Sequence, residues 1–422
     1  MYKRNEEQIH NSYEAAKKTY AAFGVDTEAV MNEFSNIPIS LHCWQGDDVR
    51  GFEGMEDVAS QNLVTGNYPG AARTADELRM DIEQAFSMSP CKHRVNLHSM
   101  YAETAKPTPR NELTAEDFRG WIDWAKTNQY GLDFNASFFT HPMMVDGFSL
   151  SSRRKDVRDY WIKAGKGARE ISDVIGRELG TPCINNIWIP DGMKDIPANR
   201  LLYRENLKDS LDQIFETQYD RSHMADVLEG KLFGIGLESF TVGSHEFYLA
   251  YAAKNGVGVC MDTGHYHPTE QVADKLSSVC SLVDTVLLHI SRGIRWDSDH
   301  VLIQSDELTA IMQEMKRGNF FHKVGMGLDY FDASINRVAA WTIGLRAAGK
   351  AVLTALLEPT ALLESAEASG DYTARLALIE EFKNLPVNAV WEEICLRTQT
   401  PVNTEWLTQL KQYEQDVQSG RR

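Results

Sequence analysis

From Ile37 onward, short apolar runs alternate with longer stretches in which apolar residues recur every three or four positions, the pattern of repeated βα units around a parallel sheet. Eight runs predict strands: IPISLHCW (37–44), RVNLHSMY (94–101), LDFNASFF (132–139), CINNIWIP (183–190), VLEGKLFGIGL (227–237), GVGVCMD (256–262), DTVLLHIS (284–291) and KVGMGLD (323–329). Eight such units predict an α/β fold closed into a (β/α)8 TIM barrel. Helical periodicity returns between them, in ADELRMDIEQAF, TAEDFRGWIDWAKT and SSRRKDVRDYWIKAGKGAREISDVIG. Thr74 and Thr114, each ahead of acidic residues, predict helix N-termini, as do Pro268 and Thr269 ahead of EQVADKLSSV.

The flanks carry more helix. MYKRNEEQIHNSYEAAKK predicts an amphipathic N-terminal helix without the apolar core or cleavage site of a secretory leader, so a cytoplasmic protein is expected. DASINRVAAWTIGLRAAGKAVLTALL predicts a long amphipathic helix after the eighth strand, and further helices fill 359–422. The chain is expected to form one structural unit, with residues 1–355 as the barrel and its N-terminal helix and residues 356–422 as a helical extension. The extension exceeds what a barrel needs, and predicts either a clasp on a neighbouring subunit or an extra helical layer. Residues 45–71, long and rich in Gly, Asp, Glu and Asn, follow the first strand, where a barrel carries an active-site lid.

Composition narrows the function. Sixty acidic against 43 basic residues give a net charge of −17, which repels phosphate backbones and argues against nucleic acid as a partner. No apolar stretch approaches the roughly 18 residues of a membrane span. Six cysteines, scattered without a CxxC pair, predict reduced, buried thiols and neither a zinc finger nor a disulfide framework. No glycine-rich phosphate loop lies between a strand and a helix, so no nucleotide cofactor is expected.

The chemistry concentrates at the ends of the later strands, where barrel enzymes keep their catalytic groups. Glu229 and Lys231 lie on the fifth run, Asp262 and His265 end the sixth, His289 is in the seventh with Asp297 and Asp299 after it, and Asp329 ends the eighth. A lone Asp or His near a strand end is ordinarily a cap or a satisfied polar group, but eight such residues on four successive strands are not. Buried together, these carboxylates repel one another unless cations neutralise them. Oxygen donors with two imidazoles and no thiolate suit Mn²⁺, Mg²⁺ or Co²⁺ better than structural zinc, with Mn²⁺ first. In extended backbone, Glu229 with Lys231 and Asp297 with Asp299 each point two side chains the same way. Glu238 competes with Glu229, and Asp332 with Asp329. The early strands instead end in His98 and the aromatics Trp44, Phe138, Phe139 and Trp188, which predict a sugar-stacking wall. A metal-dependent hydrolase and a non-catalytic sugar-binding protein are the competing classes. The first lacks the basic groove that a nuclease needs, and the second has no use for carboxylates beside Lys231.

The segments LHCWQGDDV, HRVNLHSMYAET, NNIWIPDG, LFGIGLES, DTGHYHPTE, HISRGIRWDSDH and GLDYFDASINR together resemble the L-rhamnose isomerase family, whose fold is similar to that of xylose isomerase. The resemblance spans nearly the whole chain. It implies a homotetramer held partly by C-terminal helices, Mn²⁺ dependence with Co²⁺, Mg²⁺ or Zn²⁺ as substitutes, and interconversion of L-rhamnose and L-rhamnulose. It assigns one metal to His265, Asp297 and Asp299 and a second, structural metal to Glu229, Asp262, His289 and Asp329, with Asp262 near both. The Glu229-Gly-Lys231 triplet resembles Glu-X-Lys of xylose isomerase, which favours Glu229 over Glu238 and sets Lys231 on the substrate carbonyl oxygen. Asp297 and Asp299 with a water would relay a proton between sugar oxygens, and His98 would assist ring opening. No carboxylate or imidazole in the cluster is spare from metal binding to act as base, which favours a hydride shift. The methyl of L-rhamnose calls for apolar surface, for which Met100, Tyr101, Phe331 and residues 45–71 are candidates.

Overall fold

The computed structural model describes residues 4–53, 66–232, 239–294 and 297–421. All eight predicted strands are present: β1 Pro38–His42, β2 Lys92–His98, β3 Gly131–Asn135, β4 Cys183–Ile187, β5 Met224–Glu229, β6 Gly258–Asp262, β7 Val286–Ile290 and β8 Val324–Leu328. Each pairs in parallel with the next, and β8 pairs with β1 to close the barrel. The strands read as unbroken apolar runs because both faces are buried, one on the surrounding helices and one inside the barrel.

The fifth run ends earlier than its apolar pattern suggests. Its strand stops at Glu229, after which the backbone leaves the barrel ladder: the Lys231 N–H donates to the Gly243 carbonyl, and Gly230 packs against His245, where a side chain has no room. Residues 233–238, with Glu238, lie outside the described residues, as do residues 54–65 of the expected lid. A short antiparallel ribbon, Gly192–Met193 with Phe240–Thr241, joins the loops after β4 and β5; its two-residue strands are too short to leave a periodic signal.

Helix starts are mostly as predicted. Thr74 caps Ala75–Ser87 by accepting from the Glu77 N–H, and Thr114 forms a capping box with Asp117, although a 3₁₀ turn, Ala115–Phe118, precedes the α-helix there. The helix expected from Thr269 begins at Val272 instead. His267 accepts from the Thr269 N–H through Nδ1 and from the Glu270 N–H through its carbonyl, a local turn that competes with helix.

The long helix Arg337–Leu356 corrects an expectation. It is not amphipathic, since 17 of its 20 residues are buried. Its outer side is covered from both ends of the chain, by Thr27–Phe34 and by Val387–Arg397, whose Trp391 lies near Arg346; that guanidinium donates to the carbonyls of Met88 and Pro401. The N-terminal helix Glu6–Ala22 buries Ile9, Tyr13, Ala16 and Tyr20 along one stripe against the same region. The last residues return to the barrel mouth, where Arg421 and Tyr413 meet buried Asp81, and Gln418 accepts from Asn336.

Candidate active site

Inward-facing positions alternate along β5, β6 and β7, so Glu229, Asp262 and His289 stand one pleat above Val227, Cys260 and Leu287. The lower three form a small apolar cluster with Ile184. The upper three are joined by Asp329, immediately after β8, and one donor atom from each of the four lies within 4.8 Å of the others. Asp262 sits opposite His289 in the β6–β7 register. His289 Nδ1 is 3.2 Å from Glu229 and 3.1 Å from Asp329. Asp332 is elsewhere, its carboxylate accepting from Ser334 and its backbone paired with the Gln45 amide.

Asp262 also belongs to a second group with His265 and Asp297. His265 Nδ1 is 3.2 Å from the Gly230 carbonyl, which assigns the ring proton to that nitrogen and turns Nε2 toward Asp297, at 3.3 Å, and Asp262, at 3.7 Å. The Lys231 ammonium donates to Asp297 at 2.6 Å and lies 5.1 Å from the Trp188 ring centre. Asp299 is not in extended backbone as expected. Its φ of 44° is left-handed, a strained state for a non-glycine residue, and its carbonyl accepts from the Phe331 N–H. That turn, not a shared strand face, brings its carboxyl to Asp297.

The electrostatics fit a cation. Burial opposes charge on Glu229, yet the His289 and His265 rings hold its carboxyl at about 2. Burial, reinforced by Asp329, Glu229 and Asp297, pushes the Asp262 carboxyl well above the carboxylate range. Asp299 is pushed the same way by burial and by Asp297 and Asp329. Lys231 keeps its proton against burial because Asp297 faces it. The protein's own positive charges therefore leave this group of carboxyls short of neutralisation. Asp297 Oδ1 is buried with no hydrogen-bond partner, and although burial opposes charge on His289, Cys260, Glu229 and Asp329 push its ring well above the ordinary imidazole range, a proton standing where a Lewis acid would serve. Donor types and burial both suit a divalent ion.

The aromatic residues divide. Trp44, His98, Phe139 and Trp188 form a continuous wall: Trp44 lies 4.5 Å from His98, and Phe139 packs edge-on to Trp44 at 6.4 Å and to Trp188 at 5.4 Å. Burial pushes the His98 ring down to about 3, leaving it neutral, with Nδ1 3.1 Å from the Ser137 hydroxyl. Phe138 turns outward onto Trp161, a core contact. Met100 and Tyr101 are fully buried, with their polar atoms given to the first loop: the Tyr101 hydroxyl donates to Asp47, and the Met100 carbonyl accepts from the Phe52 N–H. Phe331 is half-buried beside Asp299.

Three supporting contacts were not among the expected residues. Asn186 donates to Glu229, the Gly264 N–H donates to Asp262, and the Gly230 carbonyl orients His265. Only Asn186 leaves a trace in the sequence, as a polar residue inside an apolar run.

The family model for L-rhamnose isomerase (RhaA) matches residues 7–421. The L-rhamnose isomerase of Rhodopirellula baltica is 51% identical over 414 residues, covering 98% of this chain and 97% of that protein. Those of Pectobacterium carotovorum subsp. carotovorum and Escherichia coli O6:H1 are 51% and 50% identical, each over 98% of this chain and 99% of their own length. Among solved structures, an L-ribulose 3-epimerase matches with a TM-score of 0.47 at 12% identity, over 75% of this chain and 95% of that one. With a family match along nearly its whole length, the chain belongs to the L-rhamnose isomerase family and is an aldose–ketose isomerase.

Proposed function

We propose that the chain interconverts L-rhamnose and L-rhamnulose by a divalent-cation-assisted 1,2-hydride shift on the open-chain sugar, with Mn²⁺ as the preferred ion. The carrying observation is the convergence of Glu229, Asp262, His265, His289, Asp297 and Asp329, four carboxyls and two imidazoles brought together at the barrel end. His265, Asp297 and Asp299 are assigned to the ion that meets the sugar, and Glu229, Asp262, His289 and Asp329 to a structural ion, with Asp262 facing both. A bound ion supplies Lewis acidity that polarises the sugar carbonyl and acidifies its neighbouring hydroxyl.

The side chains do the rest. Lys231 sets a fixed positive charge where oxyanion character develops on the substrate. Asp297 and Asp299, with a water between them and the sugar, pass the proton from O2 to O1. His98, neutral and tilted against Trp44, presents its other ring nitrogen to the ring oxygen and assists opening. Trp44 and Trp188 stack on the sugar, Phe331 meets its methyl, and Met100 with Tyr101 backs that pocket. One methyl contact discriminates by roughly 10 to 200-fold, so other aldoses are expected to turn over slowly. Every carboxylate and imidazole of the cluster is committed to a cation, leaving none to remove the C2 proton, which favours the hydride route.

A cytoplasmic homotetramer completes the proposal. The helix Tyr372–Phe382 buries none of its residues within one chain and exposes Tyr372 and Leu376, surface that a neighbouring subunit would cover. All six cysteines are free and buried, as suits a reducing compartment. The test is ketose formation from L-rhamnose by chelator-stripped protein. Recovery on adding Mn²⁺ is expected, and inactivity with Mn²⁺ bound would overturn the reading. Substantial deuterium at C1 of product formed in D₂O would sink the hydride shift alone.

A further inference from the structure

Beneath the cation cluster lies a sulfur atom for which the proposed isomerisation has no use. Cys260 precedes Asp262 by two residues on β6, faces the same way and is fully buried. Its Sγ, a Glu229 oxygen and a His289 nitrogen lie within 4.8 Å of one another. Cys260 also packs with Val227, Leu287 and Ile184, which would make it an ordinary small apolar residue. Two observations go beyond that. His289, deeply buried, sets Nδ1 3.2 Å from Glu229 and 3.1 Å from Asp329 without hydrogen-bond geometry to either, so that both Glu229 and His289 turn donor atoms into this group. The three donors also mix carboxylate, imidazole and sulfur, a set that suits softer cations than the oxygen-rich cluster above. Among the described residues, none of the other five cysteines belongs to such a group.

We propose that Glu229, Cys260 and His289 form a coordination site for thiophilic divalent cations such as Cd²⁺, one pleat below the site that takes hard ions. The proposal rests on the metal-binding reading of the cluster. A hard ion prefers the oxygens of Asp262 and Asp329 and leaves the thiol protonated. A soft ion exchanges the S–H bond for an S–metal bond and releases that proton to solvent. Glu229 and His289 belong to both sites, so occupation of the lower one removes two of the four donors of the upper one. Soft cations therefore displace the structural ion instead of adding to it.

Chelator-stripped full-length protein is titrated with Cd²⁺, followed by the ultraviolet sulfur-to-cadmium charge-transfer band, while Mn²⁺ occupancy is read from the free-ion paramagnetic resonance signal. A saturable band is expected in the wild type, absent from both Cys260→Ser and Cys260→Ala, with Mn²⁺ expelled as the band grows. The ¹¹³Cd shift of the wild-type complex reports sulfur ligation without any variant, and so keeps the test open if both variants misfold. A wild type that binds Mn²⁺ but gives no band and no sulfur-type shift overturns the thiolate site, as does a band that survives in Cys260→Ser. Failure to bind either ion would instead overturn the metal reading beneath it.

Discussion

Replacing Lys231 by Met keeps the length of the side chain and removes its charge, and two consequences separate. Lys231 is buried, donates to Asp297 at 2.6 Å and lies over Trp188 at 5.1 Å. Breaking a buried pair from one side costs about 3–5 kcal/mol, because the remaining charge is stranded, and losing the desolvated cation–π contact adds about 2 kcal/mol. A divalent ion on Asp297 would neutralise the stranded carboxylate, so most of the stability lost in chelator should return with Mn²⁺. The effect on rate is different in kind. A positive group acting on an oxygen that becomes charged only in the transition state contributes to kcat more than to KM, and its removal costs about 10²–10³-fold. Initial rates of ketose formation at saturating Mn²⁺, with denaturant unfolding in chelator and in Mn²⁺, read both. A kcat near the wild-type value with raised KM would refute the transition-state role. A stability loss indifferent to Mn²⁺ would refute the pairing of Asp297 with the ion.

Loading the metal-free protein with Mn²⁺ near neutral pH should release protons, since burial and neighbouring carboxylates hold Asp262 and Asp299 protonated until a cation displaces the proton; an indicator dye in weak buffer that shows no release would count against the shared cluster. Asp47 is pushed up to about 7 by burial, against the hydrogen bonds from Tyr101 and Gly51 that favour its charge. The folded state thus binds more protons than the unfolded one above the ordinary carboxyl range, and stability should fall as pH rises toward 7, by at most roughly 4 kcal/mol. Asp47→Asn should flatten that fall in denaturant unfolding, and an unchanged slope would contradict it. Arg421 donates to buried Asp81 at 2.6 Å. Arg421→Met should cost about 3–5 kcal/mol, and adding Asp81→Leu should recover a large part, because no charge is then left stranded; a double variant no better than the single one refutes the account.

What was legible in the sequence follows from how a barrel is buried. A strand covered on both faces must be apolar throughout, so a charged residue at its end, such as Asp262 or Asp329, stands out against the run that precedes it. The supporting contacts are not legible in this way, since the Gly230 carbonyl and the Gly264 N–H are backbone groups whose service to His265 and Asp262 leaves no mark in residue type. The helix Arg337–Leu356 reads as amphipathic because periodicity reports a buried stripe but not what distant chain covers the rest; Thr27–Phe34 and Val387–Arg397 do that. The spacing of Asp297 and Asp299 points to a shared strand face, but a left-handed φ at Asp299, set by its tertiary surroundings, replaces the extended backbone that face needs. The helix starts at Val272 and not at Thr269 because a side-chain turn at His267 outcompetes the first helical turn.

The register that makes the site also limits how it can change. In β5, β6 and β7 the donors Glu229, Asp262 and His289 sit two residues beyond Val227, Cys260 and Leu287, and a slip of one residue would turn every donor out of the barrel and onto the helices. An unpaired carboxylate there is far costlier than a misplaced apolar side chain. Closure of β8 on β1 removes the free edge at which a slip would begin. The apolar floor and the polar cluster therefore specify the same register from opposite sides: the floor needs three side chains that exclude water, and the cluster needs donors that converge. Cys260 is the one floor position whose chemistry belongs to both layers, which is why a cation of different softness can find a second place within a pleat of the first without any strand moving.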